Sequence, residues 1–413
     1  MWRQFDRLLE GRVFPALLLL GVVLRVAAIV SFPVYPLVDN TADTAIYDEG
    51  ARSLAAGEGY RWGGRLTAFF PIGWPLLLSM AYRVAGESAR SGQALNFLFS
   101  LVLLLACWFL VHRLAGRRAG RLAALVLAFA PHHVVYPAFL MSETSFTAFF
   151  LLSLGLVAVA VPPGREHGEK LPLLIGAGVL MGAATLIRGP ALVFPLAVAA
   201  WTFVSERGRA VPRMLRSMLC AFVFGLGLLL AVAPWATRNH RVFDRWVLVA
   251  NDGGMNFLMG NHHGATGARH EPVEGLPDLG NEVADDREGY RRGAAFIKEN
   301  PGEFLTLLPK KFVRLVAPAS LLTYRAELRA KWPEPLALTL LAIDQLLHAV
   351  LWIMALVAVL KLRSHPAVRF GAVMIGLWVL IHLAFLGGAR YFYPVMPLLL
   401  LVAASARFSE REA

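Results

Sequence analysis

The feature that most constrains this chain is a series of apolar runs, each close to the length needed to cross a lipid bilayer. The hydrocarbon core of a bilayer is about 30 Å thick, and an α-helix needs roughly 20 residues to cross it. Val13 to Phe32 is the first such run. Of the 413 residues, 57% are hydrophobic and 16% charged, too little polar surface for a chain dissolved in water. A cleavable signal peptide would occupy the same place as the first run. Its apolar stretch is long, however, and no small-residue cleavage site of the A-x-A kind follows Pro33, so the sequence reads as a retained first helix. Cys107 and Cys220 lie inside apolar runs, where a thiol usually only packs, and they identify no redox compartment.

A net charge of +12 would suggest nucleic acid in a soluble protein. Here the basic residues gather in short connections between apolar runs, which points to the cytoplasmic membrane face and to lipid, not to nucleic acid. The runs place helices near 13–32, 92–112, 121–137, 143–161, 171–187, 190–204, 216–235, 337–361, 369–387 and 394–407. The expectation is an all-α integral membrane protein of about ten spans, a single polytopic domain over 1–413. The basic sets are Arg3, Arg7 and Arg12; Arg113, Arg117, Arg118 and Arg121; Arg165 and Lys170; Arg207, Arg209, Arg213 and Arg216; Lys361, Arg363 and Arg369; and Arg407 and Arg411. They mark every second connection, the pattern of positive-inside topology. Both termini are thus expected in the cytoplasm, with the chain in the plasma (inner) membrane.

The other connections then face outward, and two are long: 33–91 and 236–336, which hold most of the acidic residues. Leu66 to Ala81 and Phe304 to Leu322 are apolar runs inside them, expected as helices lying at the interface. The 251–300 stretch, rich in Gly, Asn, His and acids, reads as an irregular loop. Neither an internal repeat nor a low-complexity tract is evident.

Within the first long connection, Ile46, Ala51 and Leu54 are helically spaced, so a short helix should start near Asp43, capped by Thr41 or Asp43. Capping is one reading of Asp43. The other is a general base just beyond a membrane helix, where an attacking hydroxyl would lose its proton. Spacing does not choose between them. Pro71, Gly73 and Pro75 interrupt the next apolar run and suit an interfacial turn. Glu143 opens an apolar run, either as a first-turn acid favoured by the helix dipole or as a carboxylate facing a cavity. Arg188, Arg238 and Arg390 fall at outer helix ends, where a guanidinium could snorkel or hold a phosphate through fixed, bidentate donors. Arg25, inside the first run, raises the same question. The pairs His132–His133 and His262–His263 suggest a metal, but neither has the spacing of a zinc motif. A divalent metal stays open and no cofactor is indicated.

Several motifs together resemble the bacterial membrane glycosyltransferases of the type C fold, related to protein O-mannosyltransferases and lipid A aminoarabinose transferases. The matching pieces are Asp43-x-x-x-Tyr47-x-x-x-Ala51-x-x-Leu54-x-x-Gly57-x-Gly59, Phe70-Pro71-x-Gly73-x-Pro75, Ser142-Glu143, Leu186-Ile187-Arg188, Pro234-Trp235-x-x-Arg238-Asn239, Gly260-Asn261 and Arg390-Tyr391-x-x-Pro394. They keep the family's order over nearly the whole chain. The family's first outer loop carries an acidic motif, often Asp-Glu; Asp43 resembles its first member, and Thr44 stands where the second acid would be, with Asp48 and Glu49 one turn later.

The resemblance implies a polyprenyl-phosphate-sugar donor whose anomeric carbon is attacked, with inversion, by a hydroxyl on a glycan, lipid or protein acceptor. Asp43 would take the proton, with Glu143 in support. Arg238, Arg390 and Arg188 would hold the donor phosphate, and Tyr47, Asp48, Asn261 and Tyr391 would contact substrate. A flippase of lipid-linked sugars and a non-catalytic carrier-binding subunit are the competing classes. The flippase is disfavoured by the lack of an inverted repeat.

Overall fold

A computed structural model of the chain describes residues 11–31, 42–164, 169–205, 210–268, 276–317 and 333–408. Thr41 and the basic residues Arg3, Arg7, Arg165, Arg207, Arg209 and Arg411 lie outside the described residues, as do positions 318–322.

The apolar runs fold as helices because hydrocarbon offers no partner for backbone N–H and C=O groups, which a helix satisfies internally. In chain order they are α1 (Val13–Ser31), α2 (Ala42–Ala55), α3 (Gly73–Ala85), α4 (Ala89–Phe129), α5 (Pro131–Val135), α6 (Glu143–Ala160), α7 (Leu171–Ile187), α8 (Phe194–Ser205), α9 (Ala210–Phe243), α10 (Gly253–Gly260), α11 (Glu282–Glu299), α12 (Pro301–Val316), α13 (Glu334–Lys361), α14 (Pro366–Ala384) and α15 (Met396–Phe408). A two-stranded hairpin, β1 (Arg61–Trp62) with β2 (Arg65–Leu66), joins α2 to α3.

Among the described residues, α1, α4, α6, α9, α13 and α14 are each long and apolar enough to cross a membrane, and α7, α8 and α15 are shorter apolar helices. The chain is a multi-pass membrane protein. The second and third expected spans are the two halves of α4, broken at Gly116, whose φ of 88° is open to glycine without strain. With those halves counted separately, ten apolar helical segments result.

Several boundaries differ from the sequence reading, three of them for a visible local reason. The third segment stops at Phe129, because a short helix and a 3-10 turn occupy 131–138. The sixth segment starts at Phe194 after a 3-10 turn over Gly189–Val193. The seventh continues through Pro234 to Phe243. The stretch 251–300, expected to be irregular, contains α10 and α11. The Asn281 side chain accepts hydrogen bonds from the N–H groups of Val283 and Ala284, and Glu282 and Asp285 sit in the first turn, a local start signal that composition obscured.

Helices α7 and α9 approach backbone to backbone. A Cβ on Gly178 would collide with the carbonyl oxygen of Phe224, and one on Gly227 with that of Ile175, the close packing that small residues allow between membrane helices. At one end of the bundle the connections carry the basic residues. There Gly164 N–H donates to Ser205 O at 3.0 Å, Arg369 to Val204 O at 3.2 Å and Arg213 to Phe203 O at 2.8 Å. At the opposite end lie α2, α3, the hairpin and α10 to α12.

Candidate active site

The end of the bundle away from the basic connections contains a cavity of about 610 Å³. Its wall comes from α2, the loop after the hairpin, the end of α7 with the turn that follows, residues 246–256, α11, the end of α14 and residues 385–391. Segments far apart in sequence are locked together to make it. The buried stretch 138–141, where the 3-10 turn ends, has its carbonyls satisfied by side chains: Gln93 donates to Ala138 O at 2.8 Å, Asn96 to Phe139 O at 2.7 Å and Trp74 to Leu140 O at 3.0 Å. Buried backbone requires such partners. A Cβ on Gly73 would lie 2.7 Å from the Leu186 carbonyl oxygen, so glycine lets the Phe70–Gly73 turn sit against the end of α7, two residues before Arg188.

Asp43 occupies the first turn of α2, favoured there by the helix dipole. Its Oδ2 lies 2.9 Å from Arg390 Nη1. Tyr47, one turn later, also lines the cavity, and its ring lies 5.5 Å from that of Phe70. Burial first, then the Asp43 charge, pushes the Tyr47 phenol up. Glu143, fully buried at the start of α6, pairs with Arg188 at 2.8 Å. Arg188 closes α7 and also donates to Ser142 Oγ at 3.1 Å. Burial opposes the charge on Arg188, but Glu143 and the neighbouring phenols outweigh it. For Arg390 burial is again opposed, here by Tyr391, Asp43 and Glu143, and the guanidinium is held well above its usual range. The Tyr391 ring lies beneath both arginines, 5.6 Å from the Arg188 guanidinium carbon and 5.3 Å from that of Arg390. Two carboxylate–arginine pairs thus meet beside one aromatic ring.

Of the residues picked from sequence, Asp43, Tyr47, Arg188, Arg390 and Tyr391 line the cavity, with Glu143 directly behind Arg188. Three others sit elsewhere. Asp48 accepts from Tyr82 Oη at 2.5 Å and pairs with Arg52 at 2.9 Å, fastening α2 to α3. Arg238 lies inside α9 and donates to Thr67 O at 2.9 Å, Asn239 Oδ1 at 3.0 Å and Tyr60 O at 3.4 Å. It holds the loop that presents Phe70 and Pro71 and does not itself line the cavity. Asn261 donates to Phe257 O at 2.7 Å and Ala384 O at 2.9 Å, and accepts from Lys311 Nζ at 2.8 Å. Burial lowers the Lys311 amine to about 8.

The cavity also holds residues the sequence reading missed: His382, and a second polar group of Asp252, Asn256, Asp286, Arg287 and Tyr290. Asp286 accepts from Gly254 N at 2.6 Å; burial raises its carboxyl, and burial with Asp286 pushes the Tyr290 phenol up to about 12. No motif marks these positions, although the i, i+4 spacing of Asp286 and Tyr290 on a capped helix was there to be read. Of the histidine pairs, His132 and His133 are buried in the bundle, while His263 pairs with Glu303 at 3.0 Å. Among the described residues no group of three or more His, Cys, Asp or Glu side chains is arranged to hold a metal ion.

Residues 70–237 match the model of the family described as dolichyl-phosphate-mannose-protein mannosyltransferase. No curated protein sequence matches the chain. Among solved structures, the oligosaccharyltransferase of Archaeoglobus fulgidus in its apo form superposes with a TM-score of 0.56 at 15% identity, over 96% of this chain and 51% of that one. The same protein tethered to an acceptor peptide containing the NVT sequon gives 0.53 at 12% identity, over 96% and 50%. ArnT from Cupriavidus metallidurans bound to undecaprenyl phosphate gives 0.46 at 16% identity, over 96% and 77%. The chain spans about half the length of the archaeal oligosaccharyltransferase it matches. Its fold is that of the type C membrane glycosyltransferases, and its residues 70–237 carry the sequence pattern of the dolichyl-phosphate-mannose-protein mannosyltransferases.

Proposed function

We propose that this chain is a membrane glycosyltransferase that moves a sugar from a polyprenyl-phosphate donor to an acceptor hydroxyl on a glycan, lipid or protein, with inversion. The observation that carries the reading is the meeting of Asp43, Arg390, Arg188 and Tyr391 on the wall of one cavity, with Glu143 behind. The name of the family matched over residues 70–237 supplies the donor class, a lipid phosphate bearing a hexose.

In this scheme the acceptor oxygen attacks the anomeric carbon. The bond from that carbon to the phosphate oxygen breaks, and its electron pair leaves with the polyprenyl phosphate. The acceptor proton goes to Asp43. Asp43, Arg390, Glu143 and Arg188 together carry no net charge, so the site holds no surplus cation waiting for the leaving group. Proton uptake removes the anionic partner of Arg390 at the moment the phosphate gains charge, and the guanidinium passes from carboxylate to phosphate. Arg188, held by Glu143, keeps its place throughout. Tyr47 and Tyr391 shape the sugar's surroundings. Arg238, Asp48 and Asn261 act through the segments they fasten.

The arrangement also suits a topology in which the basic end of the bundle and both termini face the cytoplasm. On that reading the segments 33–91 and 236–336 build the cavity on the outer face of the inner membrane, within one polytopic domain over 1–413. The deciding experiment gives purified chain polyprenyl-phosphate mannose and scores transfer to added acceptors. Asp43→Asn is expected to lose transfer by at least about a hundredfold while still binding donor. Normal turnover by that variant would remove Asp43, and the proposal with it.

A further inference from the structure

His382 sits in the last turn of α14 and lines the cavity although it is only 4% exposed. Its Nδ1 lies 2.8 Å from the carbonyl oxygen of Trp378. A carbonyl can only accept, so Nδ1 carries the proton, and in the neutral ring Nε2 is left with a lone pair. The ring packs against two aromatic neighbours as well, with the Trp378 ring at 4.7 Å and the Tyr391 ring at 5.3 Å. Among the described residues no hydrogen bond or ion pair to Nε2 is found, and the residue lines the cavity. The structure therefore holds an oriented hydrogen-bond acceptor at the wall that also carries Arg188, Arg390 and Tyr391.

The chemistry of the neighbours narrows what this acceptor meets. A phosphate oxygen is itself an acceptor and is served by the two guanidinium groups. A sugar hydroxyl has a proton to give, and the two carboxylates nearest the arginines, Asp43 and Glu143, are already turned to them. A rigid, buried acceptor with no protein partner discriminates strongly, because a substrate lacking the matching hydroxyl leaves it unpaired.

We propose that His382 reads the donor sugar, accepting one of its hydroxyls through Nε2, and so helps decide which sugar is transferred. The inference rests on the transferase reading above and adds a residue that selects among donors.

The test measures kcat/KM for wild-type chain and for His382→Phe on polyprenyl-phosphate mannose, glucose and galactose, and on the monodeoxy analogues of each. Wild type is expected to lose roughly ten- to a hundredfold on one deoxy analogue relative to its parent sugar. His382→Phe should lose a similar factor on the parent and treat parent and analogue alike. His382→Gln, which keeps an acceptor oxygen, should restore part of the discrimination. Should the Phe variant fail to fold, His382→Leu and His382→Gln carry the same comparison. Undiminished discrimination in the folded variants overturns the assignment and leaves the transferase reading standing. Absence of transfer by wild type from every lipid-phosphate sugar overturns both, a distinct result.

Discussion

Two groups of buried charged and aromatic side chains occupy this bundle, and they use arginine in opposite ways. In the first, Arg25 on α1 is 1% exposed and donates to the carbonyls of Gly21, Ala128 and Leu127 at 2.9, 2.7 and 3.0 Å. Near it lies His133, with its ring 3.9 Å from that of Tyr393, and next to the histidines sits the Asp344–His348 pair of α13, whose Asp344 accepts from His132 N. None of these residues lines the cavity. In the second group, Arg188 and Arg390 face carboxylates and open on the cavity. The carbonyls of Leu127 and Ala128 are in the last turn of α4, where no intrahelical donor remains, and their need for a partner is permanent. A carboxylate's need changes when it takes a proton. An arginine on carbonyls is committed to the fold, whereas one on a carboxylate at a cavity wall can exchange its partner for a phosphate.

The sharpest way to break this comparison is Arg188→Ala. It strips the cation from Glu143, which is 0% exposed, and losing one member of a buried pair costs about 3–5 kcal/mol. We expect a large drop in thermal midpoint in detergent and loss of transfer. The double variant Arg188→Met with Glu143→Gln should regain stability, since no unpaired charge remains, without regaining transfer. Transfer by the refolded double variant would show that the pair only holds the fold.

Arg25→Met should behave in the reverse manner. Removing donors from three carbonyls destabilises by about 1–3 kcal/mol, yet kcat/KM of the folded protein should stay within twofold of wild type. A selective loss of transfer at unchanged fold would erase the distinction between the two groups. The measurement pairs a thermal scan with initial rates on the same preparation.

Which arginine belongs to which group was only half legible in the sequence. Hydropathy marked the helices because crossing a membrane demands long apolar runs. The turn signals around Asp43 and Arg188 placed those residues at helix ends. Partners were not legible: Arg25 finds Ala128 across 103 residues and Arg390 finds Asp43 from the far end of the chain. His382 was invisible because a single histidine in an apolar run looks like any packed side chain until a cavity opens beside it. Asp286 was hidden by the composition of 251–300, where glycine and asparagine suggested a loop and the Asn281 cap made a helix.

Arg238 is the case where sequence and geometry point different ways, and it gives the smallest and most discriminating test. Its position near a helix end suggested a phosphate ligand. Helix α9, however, runs on to Phe243, and the guanidinium reaches Thr67 and Tyr60 carbonyls across more than 170 residues while lying 4.8 Å over the Trp235 ring. By its partners it belongs with Arg25. Arg238→Lys keeps the charge but loses the planar fork that serves two carbonyls at once, so stability should fall by about 1 kcal/mol. Because the loop it fastens carries Phe70 and Pro71 to the cavity, KM should rise a few fold as that wall loosens, with kcat nearly constant. Direct titration with polyprenyl-phosphate mannose separates the alternatives. A residue that holds the phosphate would weaken donor binding tenfold or more in Arg238→Lys and further in Arg238→Ala, whereas a residue that holds the loop changes affinity by similar small factors in both. The first pattern would move Arg238 into the cavity group, and the rule that an arginine's partners reveal its role would fail at its weakest point.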